Sequence, residues 1–112
     1  MLLPNAEHAF IDIRKLADYS LDPTHPVGRH KSIVFRSALG FTADDADTLH
    51  DLLLSAVLAH DAVLGRLDEF GQRYMVDFPT STFVGSAMLR SAWIIRPAED
   101  FPRLTTCFVL PD

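Results

Sequence analysis

Cysteine is almost missing from this 112-residue chain, tryptophan occurs once, and no apolar run is long enough to cross a bilayer. The single Cys107 rules out an internal disulfide and fits a reducing cytosol, so a cytoplasmic location is expected. Cys107 lies in an apolar run and reads as a small core residue. Met1-Leu2-Leu3-Pro4-Asn5 lacks a basic region followed by a long apolar one, so no signal peptide is expected. There is no Gly-x-Gly-x-x-Gly, no P-loop, no cysteine pair and no His-Glu-x-x-His. His25 and His30 stand five apart across a proline loop, with no carboxylate cluster beside them, which is a poor metal set. No Ser or Cys elbow for a nucleophilic triad is visible. Neither a metal nor a cofactor is expected.

Positive charge is also scarce. Ten Lys and Arg stand against fifteen Asp and Glu, a net charge of −5, which argues against a general nucleic-acid binder. The acid is confined, however. Residues 41–70 hold Asp44, Asp45, Asp47, Asp51, Asp61, Asp68 and Glu69 against Arg66 alone, a charge of −6, and the rest of the chain sums to +1. A basic face elsewhere is compatible with that distribution.

Hydrophobic residues make up 48% of the chain, ample for a core, and the length predicts a single domain over residues 1–112. Ala9-Phe10-Ile11 reads as an edge strand or a packed lead-in. Asp12 is placed to cap a helix through Arg14, Lys15, Leu16, Ala17 and Tyr19, which must end before Pro23. Residues 21–29 form a loop containing His25. Ile33, Val34, Phe35, Ala38 and Leu39 make the apolar stripe of a helix over 30–39, with Gly40 beyond its end. Thr42 and Asp45 form a capping box for a third helix reaching about His60. The texture then changes from a period of 3.6 to one of two. Residues 72–78, 87–95 and 104–110 alternate as strands joined by short connections, an antiparallel meander. The predicted class is α+β, about three N-terminal helices packed on a three- to four-stranded antiparallel sheet. Phe35, Leu39, Leu53, Val76, Trp93 and Phe108 are expected to be buried together.

The stretch Gly28-Arg29-His30-Lys31 draws the eye for chemistry. A titratable imidazole and two fixed cations fall at a helix start, where free N–H groups and the dipole already favour an anion. His30 suits proton transfer near neutral pH, and Arg29 or Lys31 suits the extra negative charge of a phosphorane. Arg90 is a cation in an otherwise apolar strand, and Thr105 and Thr106 offer hydroxyls to orient a phosphate. Each has a plainer reading. His30 and Lys31 simply begin a helix, Arg90 pairs with Asp77 across neighbouring strands, and the two threonines are good strand formers. Trp93 reads as core before it reads as a base-stacking platform.

Further motifs frame this set: Leu3-Pro4-Asn5-Ala6, Gly28-x-His30-Lys31-x-x-x-Phe35, Ala38-Leu39-Gly40, Gly71-x-x-Tyr74, Arg90-Ser91-Ala92-Trp93-Ile94 and Pro102-Arg103-Leu104-Thr105-Thr106. Together they resemble a family of small, uncharacterised bacterial domains found alone and at the ends of polymorphic toxins. The chain departs from that pattern at Ser91, where the family has Thr, and at Ser32-Ile33, where it has Ala-Arg; neither departure touches His30 or Lys31. Helices followed by an antiparallel sheet are similar to the barnase, EndoU, colicin and RelE ribonuclease group. The resemblance implies an RNase-like toxin with a neighbouring antitoxin, and His30, Lys31, Arg90, Thr105 and Thr106 as site residues.

Two readings follow. In the first, the chain is the toxin of a toxin–antitoxin pair and a metal-independent endoribonuclease. His30 is then acid or base, Lys31 and Arg90 stabilise the phosphate, Thr106 anchors it, and Arg29, Thr105 and Trp93 bind substrate. In the second it is a non-enzymatic protein-binding module, antitoxin- or immunity-like, whose acidic helix faces a basic partner. A positive cleft near His30 and Arg90 favours the first, and an acidic face without a cleft favours the second.

Overall fold

The computed structural model describes residues 1–111. It is α+β, with helical segments first and an antiparallel sheet after them, as the change of period predicts. A 3₁₀ turn at Ala6–His8 leads to a π-helical turn at Leu16–Ser20, then to helix α1 at Arg29–Leu39. A second 3₁₀ turn, Ala43–Asp45, opens helix α2 at Ala46–Ala59. The strands are β1 Ala62–Asp68, β2 Gly71–Ser81, β3 Ser86–Ile95 and β4 Arg103–Val109, neighbours in that order.

The helix ends follow local chemistry. Gly40 adopts φ 74° and ends α1, its N–H bonding the carbonyl of Arg36, a conformation that costs glycine little. The loop between β2 and β3 closes over the same end, the Thr82 hydroxyl donating to the carbonyl of Leu39 at 2.9 Å. Asp45 accepts the Thr42 backbone N–H at 2.8 Å and completes the capping box. The helix expected from Asp12 is shorter and wider than its pattern suggests. Asp12 does accept the N–H of Arg14, but Leu21 N–H reaches back five residues to Leu16, the mark of a π turn. Phe10 proves to be a lead-in with a single parallel bridge to Arg103.

One face of the sheet packs under the helices. Tyr74, Val76 and Phe78 of β2 and Leu89, Ser91 and Trp93 of β3 pair across the strands and are buried with Phe35, Leu39, Leu49, Leu53 and Val57. Trp93 donates its indole N–H to Ser91 Oγ at 2.9 Å, and Ser91 donates to the carbonyl of Val76 at 2.8 Å, so no polar atom of this relay is stranded. Phe108, expected in this core, is only half-buried. The reason is a β-bulge. Trp93 pairs with Leu104 and Ala92 with Thr106, leaving Thr105 as an extra residue in β4. The strand changes phase there, so Leu104 and then Cys107 face the core, and Thr106 and Phe108 join Ala92 and Arg90 on the other face.

Strand β1 is the edge that period two alone did not delineate. It is irregular between Leu64 and Leu67, and Val63, Leu64 and Leu67 are all exposed. Among the described residues no helix is long and apolar enough to cross a membrane. Because Phe35 is fully buried between helix and sheet, Phe35→Ala should destabilise the fold by about 3–5 kcal/mol, read by urea unfolding. A loss below about 1 kcal/mol would mean that the site is not part of the packed core.

Candidate functional site

The start of α1 is built by side chains as much as by backbone. The ring nitrogen Nδ1 of His25 accepts the backbone N–H groups of Val27 and Gly28 at 3.0 and 2.9 Å, so the imidazole caps the turn that delivers α1. Its ring stands edge-on to Tyr19 at 4.7 Å. Gly28 lies against the carbonyl of Tyr19 so closely that a Cβ there would collide with it, which pins the helix start to the π turn. Arg29 and His30 then face solvent, and Lys31 turns inward.

Lys31 is the centre of the cluster. Its ammonium donates to Thr106 Oγ1 at 2.9 Å and approaches the Tyr19 hydroxyl at 3.5 Å. It also lies 4.9 Å from the Tyr19 ring centre and 5.6 Å from that of Phe108, within cation–π range of both. The arginines at 14, 66, 73, 90 and 103 each pair with a carboxylate. Half-buried Lys31 has none within ion-pair distance among the described residues, and hydroxyls and aromatic faces surround it instead.

The other candidates are placed as follows. His30 is exposed on the turn beside Lys31, with no side-chain hydrogen bond among the described residues. Arg90 forks onto Asp77 with bonds of 2.9 and 2.8 Å between register partners, the structural ion pair of the plainer reading. Hydrogen bonding to Asp77 holds its guanidinium pKa above the ordinary arginine value. Arg90 pairs in register with Phe108, so it lies one strand in from the Lys31 cluster. Thr105 donates to the carbonyl of Ala92 at 3.0 Å and lines the grooves around the bulge. Trp93 is fully buried with its N–H satisfied, so it has no ring face for a base, and its substrate-binding role is corrected to a core role. Tyr19 and His25 belong to the cluster, and the sequence reading gave neither a role. The available signal was His25 three residues before Gly28 at a helix start, the spacing of a side-chain cap.

No group of three or more His, Cys, Asp or Glu residues is gathered to hold a metal among the described residues. Cys107 is sealed beneath this site. Burial pushes its thiol from 9.0 up to about 12, against smaller opposing effects of the Ser20 hydroxyl and Lys31. The folded state therefore favours the protonated thiol. The stability this contributes is complete below the unfolded value and is lost as pH rises through the folded one. At pH 8 the folded protein should resist iodoacetamide while the urea-unfolded chain reacts readily, scored by mass spectrometry. Equal labelling of both would contradict the burial.

Comparisons with curated proteins and with solved structures return no match. A family profile does match, over residues 2–111, and carries the description domain of unknown function. That span holds every motif on which the resemblance to an uncharacterised family rests. The chain is thus a member of the domain of unknown function family DUF6883.

Proposed function

We propose that the protein is the toxin of a toxin–antitoxin pair and cleaves RNA without a metal, at Lys31. The observation that carries this reading is the half-buried Lys31 ammonium, positioned by Thr106 and Tyr19 with no carboxylate among the described residues to neutralise it. A cation held in this way is suited to an external anion. In the proposed step a ribose 2′ oxygen attacks the adjacent phosphorus while His30 accepts its proton. The P–O5′ bond breaks, and the Tyr19 hydroxyl supplies a proton to the departing oxygen. The products are a 2′,3′-cyclic phosphate and a free 5′ hydroxyl. Lys31 stabilises the phosphorane and Thr106 Oγ1 orients it. Asp77 already offsets Arg90, so the stabilising role falls to Lys31.

The acidic face belongs to a different task. Asp44, Asp47 and Asp51 are exposed on α2 and the turn before it, the side of the molecule away from the open sheet face. We assign that face to a basic antitoxin encoded nearby. The competing reading, a binding module without activity, shares this face but gives Lys31 no chemistry.

Expression in a bacterium with and without the adjacent gene, scored by growth and RNA integrity, separates the two. His30→Ala should lower cleavage about 10²–10⁴-fold, the usual contribution of general acid–base catalysis. Lys31→Ala should cost about 10²–10³-fold, as for loss of one oxyanion donor. Wild-type toxicity in both variants would refute the nuclease. Reversing charge at Asp44, Asp47 and Asp51 should leave cleavage intact and weaken neutralisation by the partner. If cleavage falls and neutralisation does not, the assignment of that face is wrong.

A further inference from the structure

The face of the sheet turned away from the helices is not a neutral exterior. Along it, Arg73, Ile94 and Arg103 form one cross-strand row, and Met75, Ala92 and Thr106 form the next. Ala92 is the smallest residue of these rows and leaves a depression, and the extra residue at the bulge, Thr105, lies beside it. Three adjoining grooves share Thr105 in their walls. Arg14, Lys15, Arg66, Arg73, Arg96 and Arg103 line them, with Asp12 as the one carboxylate among the described residues. Six of the ten cations of an acidic chain are thus gathered around one bulge. Asp12, Asp68 and Glu99 pair with four of them, which fixes the guanidinium groups and still leaves cations in excess. Lys15 and Arg96 are exposed and form no ion pair among the described residues.

Two further features narrow the ligand. The groove walled by Lys15 also includes Tyr19, which contacts Lys31, so the basic track runs into the Lys31 cluster. At the other end, Phe10 stands partly exposed in the wall shared with Arg96 and Arg103, with the Arg103 guanidinium over its ring at 5.0 Å and the rest of the ring open to solvent. Cations along a groove with an aromatic face at its end are what a single strand of nucleic acid needs, phosphates on the cations and a base on the ring. An isolated small anion would match the charge but leave the ring unused.

We propose that the grooves meeting at Thr105 bind the backbone of single-stranded RNA flanking the phosphate held at Lys31. This extends the nuclease reading and rests on it for the choice of strand. The bulge is then the joint between two tasks, Thr106 facing the reacting phosphate and Thr105 the flanking ones.

The test uses the full chain and a 2′-O-methyl oligonucleotide of ten residues, which binds but cannot form a cyclic phosphate. Fluorescence anisotropy over a salt series reads affinity and its slope. The exposed pair Lys15→Glu with Arg96→Glu should weaken binding at least about tenfold and reduce the salt slope by about 1.4, roughly 0.7 for each lost phosphate contact on a single strand. The milder Lys15→Ala with Arg96→Ala should reduce the slope equally, and circular dichroism should report an unchanged fold in both. Wild-type affinity and slope in these variants would overturn the proposal, as would tighter binding of poly-glutamate than of the oligonucleotide. The nuclease reading fails separately. If the oligonucleotide binds as expected and unmodified RNA survives intact with both wild type and Lys31→Ala, the groove stands and the catalysis falls.

Discussion

The single extra residue in β4 decides what both faces of the sheet become. Without the bulge at Thr105, strict alternation from Leu104 would send Thr106 and Phe108 into the core and Cys107 outward. With it, Leu104 and Cys107 both reach the core, and Thr106 and Phe108 emerge where Lys31 can meet them. The bulge costs regularity in an edge strand, and the structure meets that cost locally. Thr105 returns its hydroxyl to the carbonyl of Ala92, and the lead-in segment adds a bridge at Arg103 with Leu104 N–H bonding the carbonyl of Phe10 at 3.0 Å. Bulges concentrate where a side chain must be re-aimed, and two threonines are re-aimed here.

Charge follows the same division. The helical layer carries the exposed carboxylates at Asp44, Asp47 and Asp51, and the open sheet face carries the arginines around Thr105. The net charge of −5 averages over two surfaces of opposite sign. An overall acidic balance therefore does not bar a polyanion from one side of the molecule, because interactions beyond about 10 Å between exposed charges are largely screened at ordinary salt. It also allows a basic partner to approach the opposite side.

Much of the fold was legible because its signals are local. Pro23, Pro26 and Gly40 bracket α1, Thr42 and Asp45 announce α2, and the alternation from Tyr74 through Phe78 identifies the core face of β2. What escaped depends on departures from a fixed period. The bulge moved Phe108, the irregularity between Leu64 and Leu67 blurred β1, and the widened turn at Leu16–Ser20 shortened the first helix. At the site, the sequence drew attention to His30 and Lys31, and Lys31 does meet Thr106. It was silent on Tyr19 and His25, whose roles come from the close approach of Gly28 to the Tyr19 carbonyl, a tertiary contact without a sequence period. The Arg90–Asp77 pair was legible only as one of two alternatives, since register decides it.

One feature of α1 runs against ordinary helix design. Its first turn holds Arg29, His30 and Lys31 and no acid, whereas α2 opens with Asp47 in its first turn and Asp44 and Asp45 just before it. Cations at a helix N-terminus oppose the macrodipole, an effect of about 0.3–1 kcal/mol for each charge. No side chain caps α1 itself; Nδ1 of His25 accepts the N–H groups of Val27 and Gly28 just before the helix and brings no negative charge to it. Lys31 could have been offset by a carboxylate from the sheet, yet Thr106 and Phe108 occupy that position. Sequences tend to break local rules of this kind where function requires it. An anion brought to the helix start would offset that conflict with the dipole. The first turn that opposes the dipole is also where the proposed phosphate would sit, so under that proposal helix stability is exchanged for binding at Lys31.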